Sequence, residues 1–588
     1  MNSAMIETEH LSFTYSGGTT PALSDVCLSI ETGEILGIIG PSGAGKTTLA
    51  QALSGAIPHH FTGELYGAVR IEGRDTCEIN LSDISRVVGS VLQDIDAQMV
   101  AATVEDELLF GLENFGVAHD EIEQRLTDTL ERVGIPDLRY REIATLSGGQ
   151  KQKVAIAAIL ALQPRVLILD EPTAALDPAS SQMIFSILAA INQQSDITIV
   201  VIEQKVALLS TFCDRIAVMD KGRIALVGTP CEVFSHVDEL RSIGVDCPRV
   251  TRISNSLRGA GLGADIAPWL RVDEAREALA SLLGNHTSAA PDAPNAASSP
   301  SSAPVAGADA APSTSGASPV LDVSQASFSY PGSTTGVTDL SLQAYPGEIL
   351  GIVGQNGAGK TTLTKLIIGL LKPQAGQIRI AGLNTCEHRT SQIARHVSTL
   401  FQNPDRQICQ QTVLDEVAFN LLLQGVDQTE AHTRARAVAE HFGLPVEAAP
   451  FALSRGQRQM VALASVVVTE PDVVVLDEPT CGLDYRECMT VMTTVRELAA
   501  QGSAIIMVCH DMEVVSDFAD RIAVMNDGRI LATGPTHELM RDRALMDQAS
   551  VEAPQMIKLA QKLAQTVDPR FAELTEVGEI VTLVKELM

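Results

Sequence analysis

Basic residues are scarce. The 588-residue chain carries 42 Lys and Arg against 72 Asp and Glu, a formal net charge of −30. So acidic a chain repels phosphate backbones, which argues against nucleic acid as the main partner but leaves room for a small basic pocket. Long apolar runs are missing as well. The best of them, Val154 to Leu162 and Met460 to Val468, fall far short of the ~20 residues that a membrane span needs. The opening MNSAMIETEH has neither the basic region nor the apolar core of a signal peptide. None of the ten cysteines stands in a CxxC pair, so zinc and iron–sulfur spacings are absent. The expectation is a reduced, cytosolic protein, with docking on a membrane protein left open.

What the chain does have is a long internal repeat. LSFTYSGG around Tyr15 recurs as ASFSYPG around Tyr330, and GPSGAGKTTL (from Gly40) recurs as GQNGAGKTTL (from Gly354). LSGGQKQKVAIA (from Leu146) recurs as LSRGQRQMVALA (from Leu453), and LILDEPTAALD (from Leu167) as VVLDEPTCGLD (from Val474). The match continues into PRVTRISNSL (from Pro248) and PQMIKLAQKL (from Pro554), so each copy carries a helical tail. Between the copies, 286–319 is almost wholly Ala, Pro, Ser, Gly and Thr. Such a composition cannot bury a core and reads as a disordered linker, with a reach of roughly 30 Å. Short β-branched runs, Glu34–Ile39 and Arg165–Leu169 in one copy, Glu348–Val353 and Asp472–Leu476 in the other, alternate with helical segments. That alternation predicts an α/β fold with a largely parallel sheet.

Both glycine loops fit GxxxxGK[ST]: Gly40, Ser42, Gly43, Gly45, Lys46, Thr47 and Thr48, and Gly354, Asn356, Gly357, Gly359, Lys360, Thr361 and Thr362. Glycines there let backbone N–H groups converge on phosphate oxygens at a helix N-terminus. The lysine reaches the β- and γ-phosphates, and Thr47 or Thr361 binds Mg²⁺. Asp170-Glu171 and Asp477-Glu478 close apolar strands. The aspartate there can hold Mg²⁺ and the glutamate can orient the attacking water; the plainer alternative is a helix-capping acid before a proline.

The two signature segments, LSGGQ and LSRGQ, taken with both glycine loops and both DEPT motifs, resemble the ATP-binding cassette family. The resemblance covers nearly the whole chain except the linker. It implies two tandem P-loop domains, each with a mainly parallel sheet core, a helical signature subdomain and a short helical tail. On that reading 1–247 and 320–547 are the nucleotide-binding domains, 248–285 and 548–588 are the tails, and Mg²⁺ with ATP is the ligand. Two cassettes of the family meet head to tail, so the halves of one chain are expected to form a pseudo-dimer. By motif match, Tyr15 and Tyr330 resemble the aromatic that stacks on adenine. Gln93 and Gln402 resemble the glutamine that touches Mg²⁺ and water. Ser147, Gly149 and Gln150, with Ser454, Gly456 and Gln457, resemble the signature groups. Asp177 and Asp484 resemble the acids that cross between cassettes, and His510 resembles the switch histidine, whose place in the first copy is taken by Gln204.

A finer resemblance lies in FQNPDRQ (from Phe401) followed by TVLDEVAFN (from Thr412). It looks like the A components of energy-coupling factor importers, which serve vitamins or transition-metal ions. These pair two ATPases with a transmembrane T subunit and a substrate-binding S subunit, at the cytoplasmic face of the membrane. The first copy, LQDIDAQ then TVEDELLFG, lacks the Asn-Pro. Acids gathered after each glutamine loop (Asp94, Asp96, Glu105, Asp106, Glu107; Asp405, Asp415, Glu416) suggest either a solvated face or a groove for arginines of the T subunit. Rival readings are the fused ATPase of a monosaccharide importer and a twin-cassette protein acting on ribosomes. The acidic charge and the Ala/Pro/Ser linker speak against the second rival.

Overall fold

A computed structural model of the chain describes residues 4–174, 176–262, 266–284, 318–331 and 336–588. All but the last two residues of the segment read as a disordered linker lie outside them. The chain divides into two compact units. One comprises residues 1–271 with 484–486, the other residues 272–483 with 487–588.

In the first unit the strands are β1 (Ala4–Tyr15), β2 (Leu23–Glu31), β3 (Ile35–Ile39), β4 (Gly63–Ile71), β5 (Arg74–Asp75), β6 (Val88–Val91), β7 (Val166–Asp170), β8 (Thr198–Ile202), β9 (Arg215–Asp220) and β10 (Arg223–Gly228). A six-stranded sheet has the order β10-β9-β3-β8-β7-β6. Its strands run parallel except β10, which pairs antiparallel with β9. This is the mainly parallel core expected, with β3 and β7 each starting one residue later than the sequence suggested.

Why these runs become central strands is visible in their alternation. Ile35 and Ile39 face one apolar cluster, Leu36 and Ile38 the other; Leu167 and Leu169 oppose Val166 and Ile168 in the same way. A strand covered on both faces must be apolar at every position. On one side the cover is helical. On the other it is helix Lys46–Leu53 together with a four-stranded antiparallel sheet, β2-β1-β4-β5, a sheet that the sequence did not announce.

The second unit repeats this plan with β11 (Leu321–Ser329), β12 (Gly336–Ala344), β13 (Ile349–Val353), β14 (Ala375–Ile380), β15 (Leu383–Asn384), β16 (Val397–Leu400), β17 (Val473–Asp477), β18 (Ala504–Val508), β19 (Arg521–Asn526) and β20 (Arg529–Pro535). Its sheets have the orders β20-β19-β13-β18-β17-β16 and β12-β11-β14-β15, strand for strand those of the first. The tail helices part company. Helix Arg249–Gly259 belongs to the first unit, whereas helix Val272–Gly284 belongs to the second, where it packs on helix Gln555–Thr566.

Candidate functional site

Each central strand β3 or β13 runs into a glycine loop and then a helix, Lys46–Leu53 or Lys360–Ile367. Gly40 has φ 155° and Gly354 has φ 153°; a Cβ on either would strike a carbonyl oxygen of the neighbouring strand, Met219 O or Met525 O. Gly45 and Gly359 cap the helices with φ 95° and 99° and no side-chain cap. The first-turn N–H groups therefore face the loop's interior without a capping side chain. Lys46 Nζ donates to Gly40 O and Pro41 O, both at 2.8 Å, and Lys360 Nζ to Gly354 O and Gln355 O at 2.7 and 2.9 Å. Each lysine folds back over its loop. This is a cationic nest for an anion.

The acid pairs stand beside these nests. Asp170 ends β7 and is hydrogen-bonded by Thr47. Burial pushes its carboxyl above the ordinary range, against the pull of Thr47 and Lys46; burial does the same to Asp477, against Lys360. A buried acid short of positive charge beside a helix N-terminus is the donor set that fits a divalent cation carrying a phosphate chain. Thr47 and Asp170, which are in hydrogen-bond contact, could hold it; Thr361 and Asp477 occupy the matching positions of the second unit.

The next residue in each copy, Glu171 or Glu478, sits in the left-handed region at φ 47° or 53°. Such backbone costs of order 1 kcal/mol or more for a non-glycine residue and is retained where geometry demands it. Each is pinned by its own N–H, to Ile202 O and Val508 O at 2.9 Å. Both carboxyls are raised by burial, Glu478 up to about 8.

Around these glutamates the copies differ. Glu171 is held from both sides: Gln93 Nε2 donates to Oε2 at 2.7 Å and Gln204 Nε2 to Oε1 at 2.9 Å. Glu478 instead meets one residue twice, with His510 N donating to Oε2 at 3.2 Å and His510 Nε2 lying 3.1 Å from Oε1. Gln402 is exposed, and among the described residues no hydrogen bond joins it to Glu478.

Gln204 stands between Glu203 and Lys205 in the segment EQK, and the structure shows what its two neighbours hold. Glu203 is 2% exposed. It accepts from Thr173 Oγ1 at 2.5 Å and from Gln204 N at 2.9 Å. Lys205 Nζ donates to Thr173 O, Leu176 O and Ser181 Oγ at 2.8–3.1 Å. The loop bearing Gln204 is thus strapped to the segment after the first acid pair. In the second unit the place of Glu203 falls to a buried thiol, Cys509. The available signal was an acid and a lysine flanking the switch position.

Tyr15 leans on the glycine-loop helix, its hydroxyl 2.8 Å from Gln51 Oε1 and 3.1 Å from Thr48 Oγ1. Tyr330 is half-buried and stacks edge-on against Phe328. Ser147 and Gln150 form a capping box at helix Gly148–Leu160, as do Ser454 and Gln457 at helix Arg455–Val467. The glutamine side chains of both signatures are therefore engaged with their own helix ends. Gly149 and Gly456 lie in the first turns of those helices. Asp177 caps helix Pro178–Ser195. Asp484 clusters with the first unit, where its Oδ2 accepts from Ser42 N at 2.9 Å.

A family model described as ABC transporter matches residues 23–174 and 337–481. A protein of Methanosarcina acetivorans is 34% identical over 95% of this chain and 90% of its own length, and one of Caldanaerobacter subterraneus is 34% identical over 93% and 94%. Both carry the description "Putative ABC transporter ATP-binding protein". The chain belongs to the ABC transporter family. Among solved structures, cbiO1 of Clostridium perfringens, described as part of the ABC transporter complex cbiONQ, is 33% identical over 42% of this chain and 95% of its own, with a TM-score of 0.37. This ABC protein is an ATP-hydrolysing, ATP-binding subunit of a transporter, built of two fused P-loop ATPase domains. Among its described residues no helix is long and apolar enough to cross a membrane.

Of the acids after the glutamine loops, Glu107 and Glu416 are buried and the other six remain exposed or half-buried. Glu105 pairs with Arg139, Asp96 with Lys151 and Asp405 with Arg458, at 2.5–2.6 Å. Asp94 caps a helical turn, and Asp106 and Asp415 close the helix starts at Thr103 and Thr412. Glu107 and Glu416 are buried, each accepting from two loop N–H groups. Every one of the eight has a partner within its own unit.

Proposed function

We propose that the chain powers an importer of the energy-coupling factor type, for a vitamin or a transition-metal ion, from the cytoplasmic face of the membrane. The observation that carries this reading is the loop after Gln93 and after Gln402. In the second copy Asn403 caps the turn Pro404–Arg406, Gln407 Oε1 accepts from Phe401 N at 3.2 Å, and Asp405 pairs with Arg458. The first copy lacks Asn-Pro yet is built alike: Asp94 takes the cap, Gln98 Oε1 accepts from Leu92 N at 2.8 Å, and Asp96 pairs with Lys151. The departure in sequence thus preserves the loop, which supports assigning both halves to one importer type.

Transmembrane T and substrate-binding S subunits would be the partners, and nucleic acid would not. Exposed apolar side chains on and after these loops favour apolar contact with the T subunit: Leu92, Val100 and Phe110 in the first unit, Phe401 and Leu423 in the second. In this reading 1–247 and 320–547 are the nucleotide-binding domains, and the halves of one chain form the pseudo-dimer. Each ATP contacts one glycine loop and the opposite signature. Mg²⁺ supplies charge neutralisation of the phosphates. Tyr15 and Tyr330 pack on adenine, Lys46 and Lys360 bind phosphate oxygens, and Glu171 and Glu478 orient water and draw its proton. The test is affinity purification of the chain from its native membrane with mass spectrometry. Recovery of two integral membrane proteins whose presence stimulates ATP hydrolysis supports the proposal; recovery with ribosomes or with a sugar permease overturns it.

A further inference from the structure

The antiparallel sheet of each unit carries the same irregularity. The β1–β2 ladder slips between Thr8 and Leu11, and the β11–β12 ladder between Val323 and Ala326. At the slip His10 (φ 47°) faces Asp25 (φ 59°), and at the matching place Gln325 (φ 48°) faces Asp339 (φ 54°), all four in the left-handed region. The hydrogen bonds match too. Asp25 N donates to Ser12 Oγ and Asp339 N to Ser327 Oγ, both at 2.9 Å. His10 N donates to Cys27 Sγ at 3.3 Å, and Gln325 N to Ser341 Oγ at 3.1 Å. The backbone scaffold is therefore a property of the fold, present in both units.

The side chains mounted on it are not equivalent. The second unit offers an amide, a hydroxyl and one carboxylate. The first offers an imidazole, a thiol and a carboxylate, whose ligand atoms all lie within 4.8 Å of one another on the exposed face. From this juxtaposition we propose that His10, Asp25 and Cys27 form a surface site for a zinc-class divalent ion. Imidazole and thiolate are the donors such an ion selects, and a carboxylate completes a three-ligand set with one position open to water.

The geometry is close to what is required. Bonds of about 2.0 Å to nitrogen and oxygen and about 2.3 Å to sulfur, at tetrahedral angles, place nitrogen about 3.3 Å from oxygen and about 3.5 Å from sulfur. Here His10 Nδ1 is 2.7 Å from Asp25 Oδ1 and 3.8 Å from Cys27 Sγ. The ion takes the place of the proton now shared by imidazole and carboxylate. Relative to His10, the exposed Asp25 carboxylate must withdraw by about half an ångström to admit it. The backbone N–H of His10, aimed at the sulfur at 3.3 Å, fixes where the Cys27 side chain points. Nothing in this site belongs to the nucleotide machinery.

The experiment is a titration of the reduced, chelator-washed, nucleotide-free full chain with CoCl2, followed by displacement with ZnCl2. The expected result is one equivalent of a thiolate-to-cobalt charge-transfer band, bleached by zinc. Cobalt held by the carboxylates and hydroxyls beside a glycine loop gives no such band. Cys27→Ser and His10→Gln install the second unit's own residues on the same scaffold, so both variants are expected to fold and to bind ATP normally. Cys27→Ser should abolish the band and His10→Gln should weaken cobalt binding at least tenfold. Absence of saturable cobalt binding in the wild-type chain, or a band that survives Cys27→Ser through Cys77, Cys386 or Cys409, overturns the proposal.

Discussion

Replacing Glu416 by alanine separates the two roles that an acid after the glutamine loop can have. Its carboxylate is 3% exposed, and one oxygen accepts from Cys409 N at 2.8 Å and Gln410 N at 2.7 Å. A hydrogen bond to a charged acceptor contributes about 1.5–3 kcal/mol, so the pair is worth about 3–6 kcal/mol. Cys409 is exposed, and water can replace part of what is lost, so the lower end applies. A loss of ~3 kcal/mol is on the order of a hundredfold in the opening equilibrium of this loop. Hydrogen exchange by mass spectrometry on peptides spanning 405–418 reads that equilibrium directly. In Glu416→Ala the two amides should exchange about a hundredfold faster. Glu416→Gln should fall between, since its carbonyl still accepts but carries no charge. The first unit repeats the experiment independently: Glu107 Oε2 accepts from Val100 N and Ala101 N at 3.0 and 2.8 Å, so Glu107→Ala should release that loop in the same way. Unchanged exchange in both alanine variants would refute the reasoning and return these acids to the surface.

The two ATP sites should be unequal. Glu478, which faces His510, is expected to carry most of the turnover in the assembled transporter, and Glu171, held by two glutamines, less. Steady-state ATPase activity should therefore fall further in Glu478→Gln than in Glu171→Gln, and the reverse order would overturn the assignment. Gly40→Ala and Gly354→Ala, which drive a methyl into Met219 O or Met525 O, should each abolish nucleotide binding at their own site, measured with a fluorescent ATP analogue; retained binding would mean the loop can yield. Without nucleotide, burial holds Glu478 up to about 8, so the folded second unit keeps a proton that the unfolded chain releases near the ordinary 4.5. The associated stability is full below that ordinary value and is lost as pH rises toward 8. Melting curves between pH 5 and 8 should show this slope in wild type and lose it in Glu478→Gln; a slope that survives the substitution has another source.

What the sequence made legible was local. Each glycine loop and each acid pair sits within a dozen residues of the run that feeds it, and the structure places β3, β7, β13 and β17 within one residue of expectation. Pairings across long separations were not legible. The β1–β4 ladder joins segments some sixty residues apart in the chain, and nothing in LSFTYSGG says that it will cover the parallel sheet. The acids after the glutamine loops were visible as a cluster, but their partners Arg139, Lys151 and Arg458 lie 34 to 55 residues away. A count of charges cannot tell a solvated acid from one already satisfied. Glu203 and Lys205 were visible as the flanks of the switch position, but their partners Thr173, Leu176 and Ser181 come from a different strand end and were not.

The placement of helix Val272–Gly284 changes what the Ala/Pro/Ser segment connects. Ala275, Leu279 and Leu283 are buried, Asp273 pairs with Lys562, and the helix belongs to the second unit. The chain therefore first leaves the first unit at Arg271, before that segment begins, and 285–317 bridges two parts of one unit. A gene split within 285–317 would give an amino-terminal fragment ending in a helix whose seat is on the carboxy-terminal fragment. The two pieces should co-purify after separate translation, held by that helix as by a detachable handle, whereas a split just before Val272 would leave the handle on its own seat.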